Sequence, residues 1–368
     1  MFRGVLFVAV CFLSLLNCPD FCSAAETRSI VDASGRQVIV PEKVDRVICS
    51  GPGALRLLTY LQGADRVVGV DSAETKSRKL DARPYAMAHP EFKNMSVFGE
   101  FRGMDDPEKI LMLEPQPQVI FKTYATMGYD PDELQEKTGV PVVVLNYGDL
   151  GRKREQLFQA LTIMGNVLGK AERAEGVKTF FAECISDLEK RTASITETEQ
   201  KSVYIGGVSY KGPHGYQSTE PAYPPFLFIN ANNLAAADCE KPISHADVAK
   251  EKIVEWNPEY LFLDLSTLRL GEAGGLYELQ HDAAYRELQA VKSGLVYGLL
   301  PYNWYTSNLG SVIVNAYVAG KILYPSKFED INVKEMSGSV YQFLVGKDVF
   351  DELNESFGSY TGQALPVQ

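Results

Sequence analysis

The side chains able to do chemistry in this chain fall where short apolar, β-branched runs end. Ser50 and Gly51 follow one run, Asp71 a second, and the segment Glu100 to Arg102 a third. Lys122 and Tyr124 follow the next, and Tyr147 the last run of the first half. The second half offers Tyr210, Lys211 and His214 in a loop rich in Gly, Pro and Tyr, then Asp264 and Ser266, then Tyr302, Trp304 and Tyr305. Aromatic faces supply contact area, and Arg or Lys neutralises carboxylate or catecholate, so the set suits a large, partly apolar, anionic chelate. Each Tyr also has the plain reading of packing at a sheet edge, and the stretch YNWYT (302–306) has the best claim to ligand.

Other chemistry finds less footing. The four histidines, at 89, 214, 245 and 281, include no pair three or four apart. Helical metal ligation needs that spacing, so no bound metal ion is expected. His214, between Pro213 and Gly215, reads as a surface residue or a hydrogen-bond donor to ligand. A hydrolase would need an activated nucleophile, and GxSxG is absent, as are GxxxxGK[ST] and GxGxxG. No enzymatic activity is expected, and no cofactor apart from a bound cargo. A formal net charge of −11 argues against nucleic acid, which needs a basic footprint. A purely structural envelope protein is the third class, and it would show no ligand-dependent stabilisation.

The elements that must position these groups follow from periodicity. Ala174, Val177, Phe180, Phe181, Cys184, Ile185 and Leu188 recur three and four apart within 170–195. That spacing predicts one long amphipathic helix after Gly169, tolerating Gly176. On either side, apolar runs such as VDRVICS, RVVGVD, PQVIFK and VPVVVLN, then KSVYIGGVS, YLFLDLS and GLVYGLL, alternate with helical patterns. Alternation of this kind means parallel sheets covered by helices. The expected fold is α/β: two lobes, 44–152 and 200–328, joined by connecting helices over 153–199 that include the spine, with a helical tail over 329–368. One large α/β domain crossed by a long helix is the alternative. In such sheets ligands sit beyond the carboxyl ends of the strands, which is the rule that nominates the residues above.

Residues 1–25 carry Arg3, an apolar core from Val5 to Leu16 and the small residues Ser23, Ala24 and Ala25. This reads as a secretory signal peptide cleaved near Ala25, placing the protein in the periplasm or on the outer face of the cytoplasmic membrane. Lipidation would use Cys18 or Cys22, and Asn17 and Phe21 before them are poor for it. The remaining Cys49, Cys184 and Cys239 make no disulfide framework; whether Cys49 and Cys239 pair stays open.

Six stretches in order, RVICSGPGALRLLTYLQGADRVVGVD, DPEKILMLEPQPQVIF, GVPVVVLN, GKAERAEGV, KEKIVEWNPEYLFL and LQAVKSGLVY, resemble the iron-complex and cobalamin binding proteins of ABC importers. The resemblance covers about Arg46 to Phe328. It implies a ligand cleft between two lobes with a rigid spine, an iron–siderophore-type complex as cargo, and delivery to the transmembrane permease subunits and their ATPase by a monomer. Corrinoid, haem and nickel or other metal chelates remain alternative cargoes. The family's permease-docking acidic residues fall on Glu108 and Glu251, each opening a helix; the plain reading of both is a carboxylate favoured by the helix dipole. Where the family commonly has Thr-Glu, this chain has Leu55-Arg56. Arg56 is expected either to face an anionic ligand or to be a solvated surface residue.

Overall fold

The computed structural model describes residues 26–76, 78–237 and 243–367. The leader with its cleavage site near Ala25, Cys18, Cys22 and Cys239 lie outside the described residues. Among the described residues no helix is long and apolar enough to cross a membrane.

The first lobe begins with a hairpin, β1 (Thr27–Val31) and β2 (Gln37–Pro41). The sheet that follows contains β3 (Val47–Ser50), β4 (Val67–Asp71), β5 (Val97–Glu100), β6 (Met104–Asp105), β7 (Val119–Thr123) and β8 (Val142–Leu145). Its order is β6-β5-β4-β3-β7-β8, parallel except for the short return β6. β3, β7 and β8 are buried residue by residue, as strands covered on both faces must be. The hairpin closes the free edge of β8: Ala33 N–H donates to the Val144 carbonyl, and Val144 N–H donates to the Asp32 carboxylate.

The second lobe adds β9 (Ser202–Gly206), β10 (Ser218–Thr219), β11 (Asn232–Asn233), β12 (Ala246–Asp247), β13 (Tyr260–Asp264) and β14 (Val296–Leu299). Four form a parallel sheet in the order β11-β9-β13-β14, while β10 and β12 pair antiparallel above it. The chain end returns along β14, with Ala364 bridging Tyr297 and Thr361 bridging Gly298.

Between the lobes runs the helix Ala171–Thr192, about 33 Å long at 1.5 Å per residue. Gly169 precedes it in a left-handed conformation (φ 65°). Ala174, Val177, Phe181, Ile185 and Leu188 are buried, while Phe180 and Cys184 are half-buried at the margin of the stripe. The spine packs on Arg154–Val167 from the first half and on Leu309–Leu323 from the second.

Some stretches depart from their local sequence pattern. The helical pattern over 227–237 is not one helix: Asn230 turns left-handed (φ 52°), leaving Pro224–Phe228, the strand β11 and a short turn, Leu234–Ala237. The run 283–291 splits at Leu288, which is extended between Ala283–Arg286 and Gln289–Lys292. The hairpin β1–β2 carries the alternation of Val38 and Val40 into the core. The tail forms helices Val333–Val345 and Phe350–Ser356, as expected. It touches the first-lobe helices Ala54–Tyr60 and Pro84–Ala88, and Phe343 stacks on Phe180 of the spine at 4.4 Å. Cys49 and Cys184 are free thiols, and burial pushes the Cys49 thiol well above its usual range.

Phe181 anchors the spine, so Phe181→Ala should cost ~3–5 kcal/mol by leaving a cavity between lobes and spine. Denaturant unfolding would show this as a lowered midpoint with an unchanged slope.

Candidate solute-binding cleft

The nominated residues separate into three layers. Ser50 and Lys122 do not reach the cleft surface. Lys122 Nζ lies 2.7 Å from Asp105 and 3.2 Å from Ser50 Oγ, and both side chains are inaccessible. This buried triad ties β3, β6 and β7 together, and its correction has a simple cause: Ser50 and Lys122 are register partners whose side chains share the inward face. Gly51 also faces inward, where a Cβ would meet the Thr123 carbonyl at 2.8 Å.

Arg56 forms the second layer, and it is not the solvated surface residue that one expectation made it: it is 1% exposed and bonds across to the other lobe. Its Nε donates to Asn308 Oδ1 at 3.0 Å. Its terminal nitrogens donate to Tyr147 Oη (2.7 Å) and to the carbonyls of Ser307 (3.0 Å), Trp304 (3.1 Å) and Tyr305 (3.1 Å). All five guanidinium donors are therefore used. Every one of these partners is neutral, so the charge is buried against dipoles rather than an anion. Tyr147 is buried beside it and passes its own proton to the Ser307 carbonyl at 2.7 Å. Helix Ala54–Tyr60 can approach only because Gly53 (φ 88°) precedes it; a Cβ there would stand 2.1 Å from the Tyr147 ring and 2.7 Å from Thr306.

The third layer is the rim. Tyr305 reaches from the second lobe to donate to the Asp71 carboxylate, and its hydroxyl accepts from Arg102 N–H at 3.2 Å. Tyr124 Oη meets Thr306 Oγ1 at 3.1 Å. Arg102 itself is exposed, with its guanidinium 5.3 Å from the ring of Phe101. Arg102 (φ 65°), Tyr124 (60°), Tyr305 (52°) and Thr306 (59°) all have left-handed backbones. Such conformations cost ~1–3 kcal/mol each in non-glycine residues and persist where the surroundings impose them, typically at functional sites. Lys211 (φ 56°) shares this conformation in the exposed loop that carries Tyr210 and His214. That loop is held to the cleft by Asn303 Nδ2 donating to the Ser209 carbonyl at 2.6 Å. Tyr302 and Trp304 are buried beneath the rim, Tyr302 donating to Glu220 and Trp304 lying under Arg269 at 4.9 Å.

Sequence reasoning missed Gly53, Glu220 and Asn308. Gly53 stood in view beside Gly51, but only the approach of Tyr147 shows why it is glycine. Glu220 and Asn308 carry no local signal, since their partners lie in other segments.

Burial dominates the titration of the cleft acids. Asp71 is pushed up to about 7 by burial and then by Glu74, against the opposing bond from Tyr305. Glu220 is pushed up to about 8 and Asp264 to about 6, again first by burial. An acid whose folded pKa exceeds its unfolded value binds protons preferentially in the folded state. Stability then falls as pH rises through that window. The protein should therefore melt at higher temperature at pH 6 than at pH 8.5. Asp71→Asn and Glu220→Gln should each flatten that slope, which a series of thermal melts would read. Arg56→Ala removes five bonds and should destabilise by ~3–5 kcal/mol, measured by chemical denaturation. Gly53→Ala should likewise lower the melting temperature by forcing Tyr147 away from the second lobe.

Comparisons with known proteins agree with this architecture. A family model described as periplasmic binding protein matches residues 47–302. The chain is 24% identical over 361 residues to the molybdate-binding protein MolA of Haemophilus influenzae, spanning 90% of this chain and 93% of that protein. The structure of MolA bound to molybdate aligns with a TM-score of 0.65 at 20% identity, over 87% of this chain and 98% of that one. A periplasmic solute binding protein from Veillonella parvula aligns at 0.68 and 17% identity, over 90% and 97% of the two chains. The petrobactin-binding protein YclQ of Bacillus subtilis aligns at 0.56 and 17%, over 82% and 99%. At these identities the likeness to solved structures establishes the fold. With the family model spanning the first-lobe sheet, the spine and most of the second lobe, the chain belongs to the periplasmic binding protein family.

Proposed function

We propose that this protein captures a compact anion, of the metal-oxyanion class that includes molybdate and tungstate, and delivers it to an ABC permease. The observation that carries the reading is Arg56, a buried guanidinium with only neutral partners at the meeting of the lobes. An uncompensated buried cation favours anions near it, and Arg102 on the rim adds a second positive charge. The hydroxyls of Tyr124 and Thr306 meet on the same rim, and the one proton not used between them can donate to an oxyanion oxygen. The similarity to MolA supports the same class. An iron–siderophore complex has less support, because Tyr124–Thr306 and Asp71–Tyr305 join the lobes directly over the floor a large chelate would occupy. No bond is made or broken in this role. Cargo capture biases the lobes toward one closed shape, and the permease reads that shape.

Glu108 and Glu251 are both exposed in the first turns of Pro107–Leu111 and Lys250–Trp256, as docking on a permease requires. Beside Glu108 lies a groove of about 440 Å³ lined by Met104, Pro107, Lys109 and Tyr129.

Calorimetric titration of the purified protein with molybdate, tungstate, sulfate, a ferric siderophore, haem and a corrinoid tests the cargo. Saturable binding of molybdate or tungstate at one per chain is expected, weakened at least ~10-fold in Arg102→Ala, the loss of one charge-assisted bond. Tighter binding of a ferric siderophore, haem or corrinoid, with none of the oxyanions, would replace this reading by the chelate. For docking, the Glu108→Ala/Glu251→Ala double variant should lose uptake in cells yet keep its cargo affinity; normal uptake would rule these contacts out.

A further inference from the structure

Thirty-one positions separate His214 from His245, too far for any helical metal motif, yet the fold brings them together. One nitrogen of each ring and one carboxylate oxygen of Asp247 all lie within 4.8 Å of one another. The imidazole centroids are 5.5 Å apart, and His245 Nε2 stands 3.9 Å from Asp247 Oδ1. Pairing of β10 with β12 sets this geometry by placing Asp247 opposite Ser218. We propose that His214, His245 and Asp247 form a binding site for one divalent transition-metal ion on the second lobe, beside the loop that rims the cleft.

The donor set is two imidazoles and a carboxylate, which suits zinc, nickel, cobalt or copper better than calcium or magnesium. A tetrahedral shell with metal–ligand bonds of ~2.0–2.1 Å puts its donors ~3.4 Å apart, so small rotamer changes of about 1 Å close this triad on an ion. His214 has an outer hydrogen-bond partner that fixes its ring, as metal-ligating histidines generally do. His214 Nε2 donates to the Tyr210 carbonyl at 2.7 Å. The His245 ring is held by stacking on Tyr210 with centroids 4.2 Å apart, and its Nε2 lies 3.1 Å from Ser218 Oγ, a contact that an ion bound through Nε2 would replace. The His245 side chain is 15% exposed and Asp247 67%, which gives an ion an entry path and leaves coordination positions open to solvent or to a donor atom of a ligand. The site lies one hydrogen bond from the cleft, since Ser209, which starts the His214 loop, is held by Asn303. The inference stands independently of the cargo, as none of its three ligands belongs to the anion-binding constellation.

The test is a titration of the untagged, chelator-stripped full protein with Co(II) and Zn(II), followed by visible absorption and calorimetry. One ion per chain is expected, with the d–d bands of four- or five-coordinate Co(II). His245→Ala and Asp247→Ala should each weaken binding at least ~10-fold, while His281→Ala leaves it unchanged. Absence of saturable binding, or binding undiminished in both site variants, would overturn the proposal. Should a site variant fail to fold, imidazole NMR of the unmodified protein decides: Co(II) perturbing His214 and His245 first supports the site, and perturbing His89 or His281 instead refutes it.

Discussion

A guanidinium taken out of water must be given hydrogen-bond acceptors or the fold fails, and Arg56 obtains four of its five from the opposite lobe. That constraint shapes everything near it. The chain from Trp304 to Asn308 must turn its carbonyls inward, and Asn308 holds them there by donating to the carbonyls of Tyr302 and Trp304. Tyr147 must come close enough to accept from Arg56, which requires a glycine at 53. The left-handed backbones of Tyr305 and Thr306 are the local cost of presenting so many acceptors from one short loop.

The rest of the architecture limits how the lobes can move about this bolt. The spine is buried along one face against both halves, and the tail joins it through Phe343 and reaches the first lobe. Both parallel sheets have an outer strand covered, by the hairpin on β8 and the chain end on β14. Large hinge motion would break several of these contacts at once. The cheaper change is confined to the rim loops, where backbone strain is already stored. A protein built this way suits recognition by small adjustments.

Much of the fold was legible because it rests on local regularities. The three- and four-residue spacing of Ala174 through Leu188 predicts the spine, and Asp106-Pro107 predicts a capped helix whose Asp106 side chain accepts from the Glu108 and Lys109 amides. The splits at Asn230 and Leu288 were not legible, since helical propensity there loses to tertiary packing. For the cleft, the rule that ligands meet strand ends found the right loops but not the right faces. Ser50 and Lys122 stand at strand ends and point inward to Asp105, while Tyr124 and Arg102, only a few positions away from Lys122 and β5, face the rim.

What the amino-acid order determined by itself is whatever depends on near neighbours: the alternation of strand and helix, the long amphipathic spine, the helix starts, and the exposed glutamates that open two of them. What only the tertiary structure decided is every relation between residues far apart in the chain. Arg56 meets Ser307 across 251 positions, Asp71 meets Tyr305 across 234, and His214 meets His245 through a strand pairing. Periodicity carries no information about such pairs. Their chemistry comes from burial and approach, which exist only once the lobes have packed.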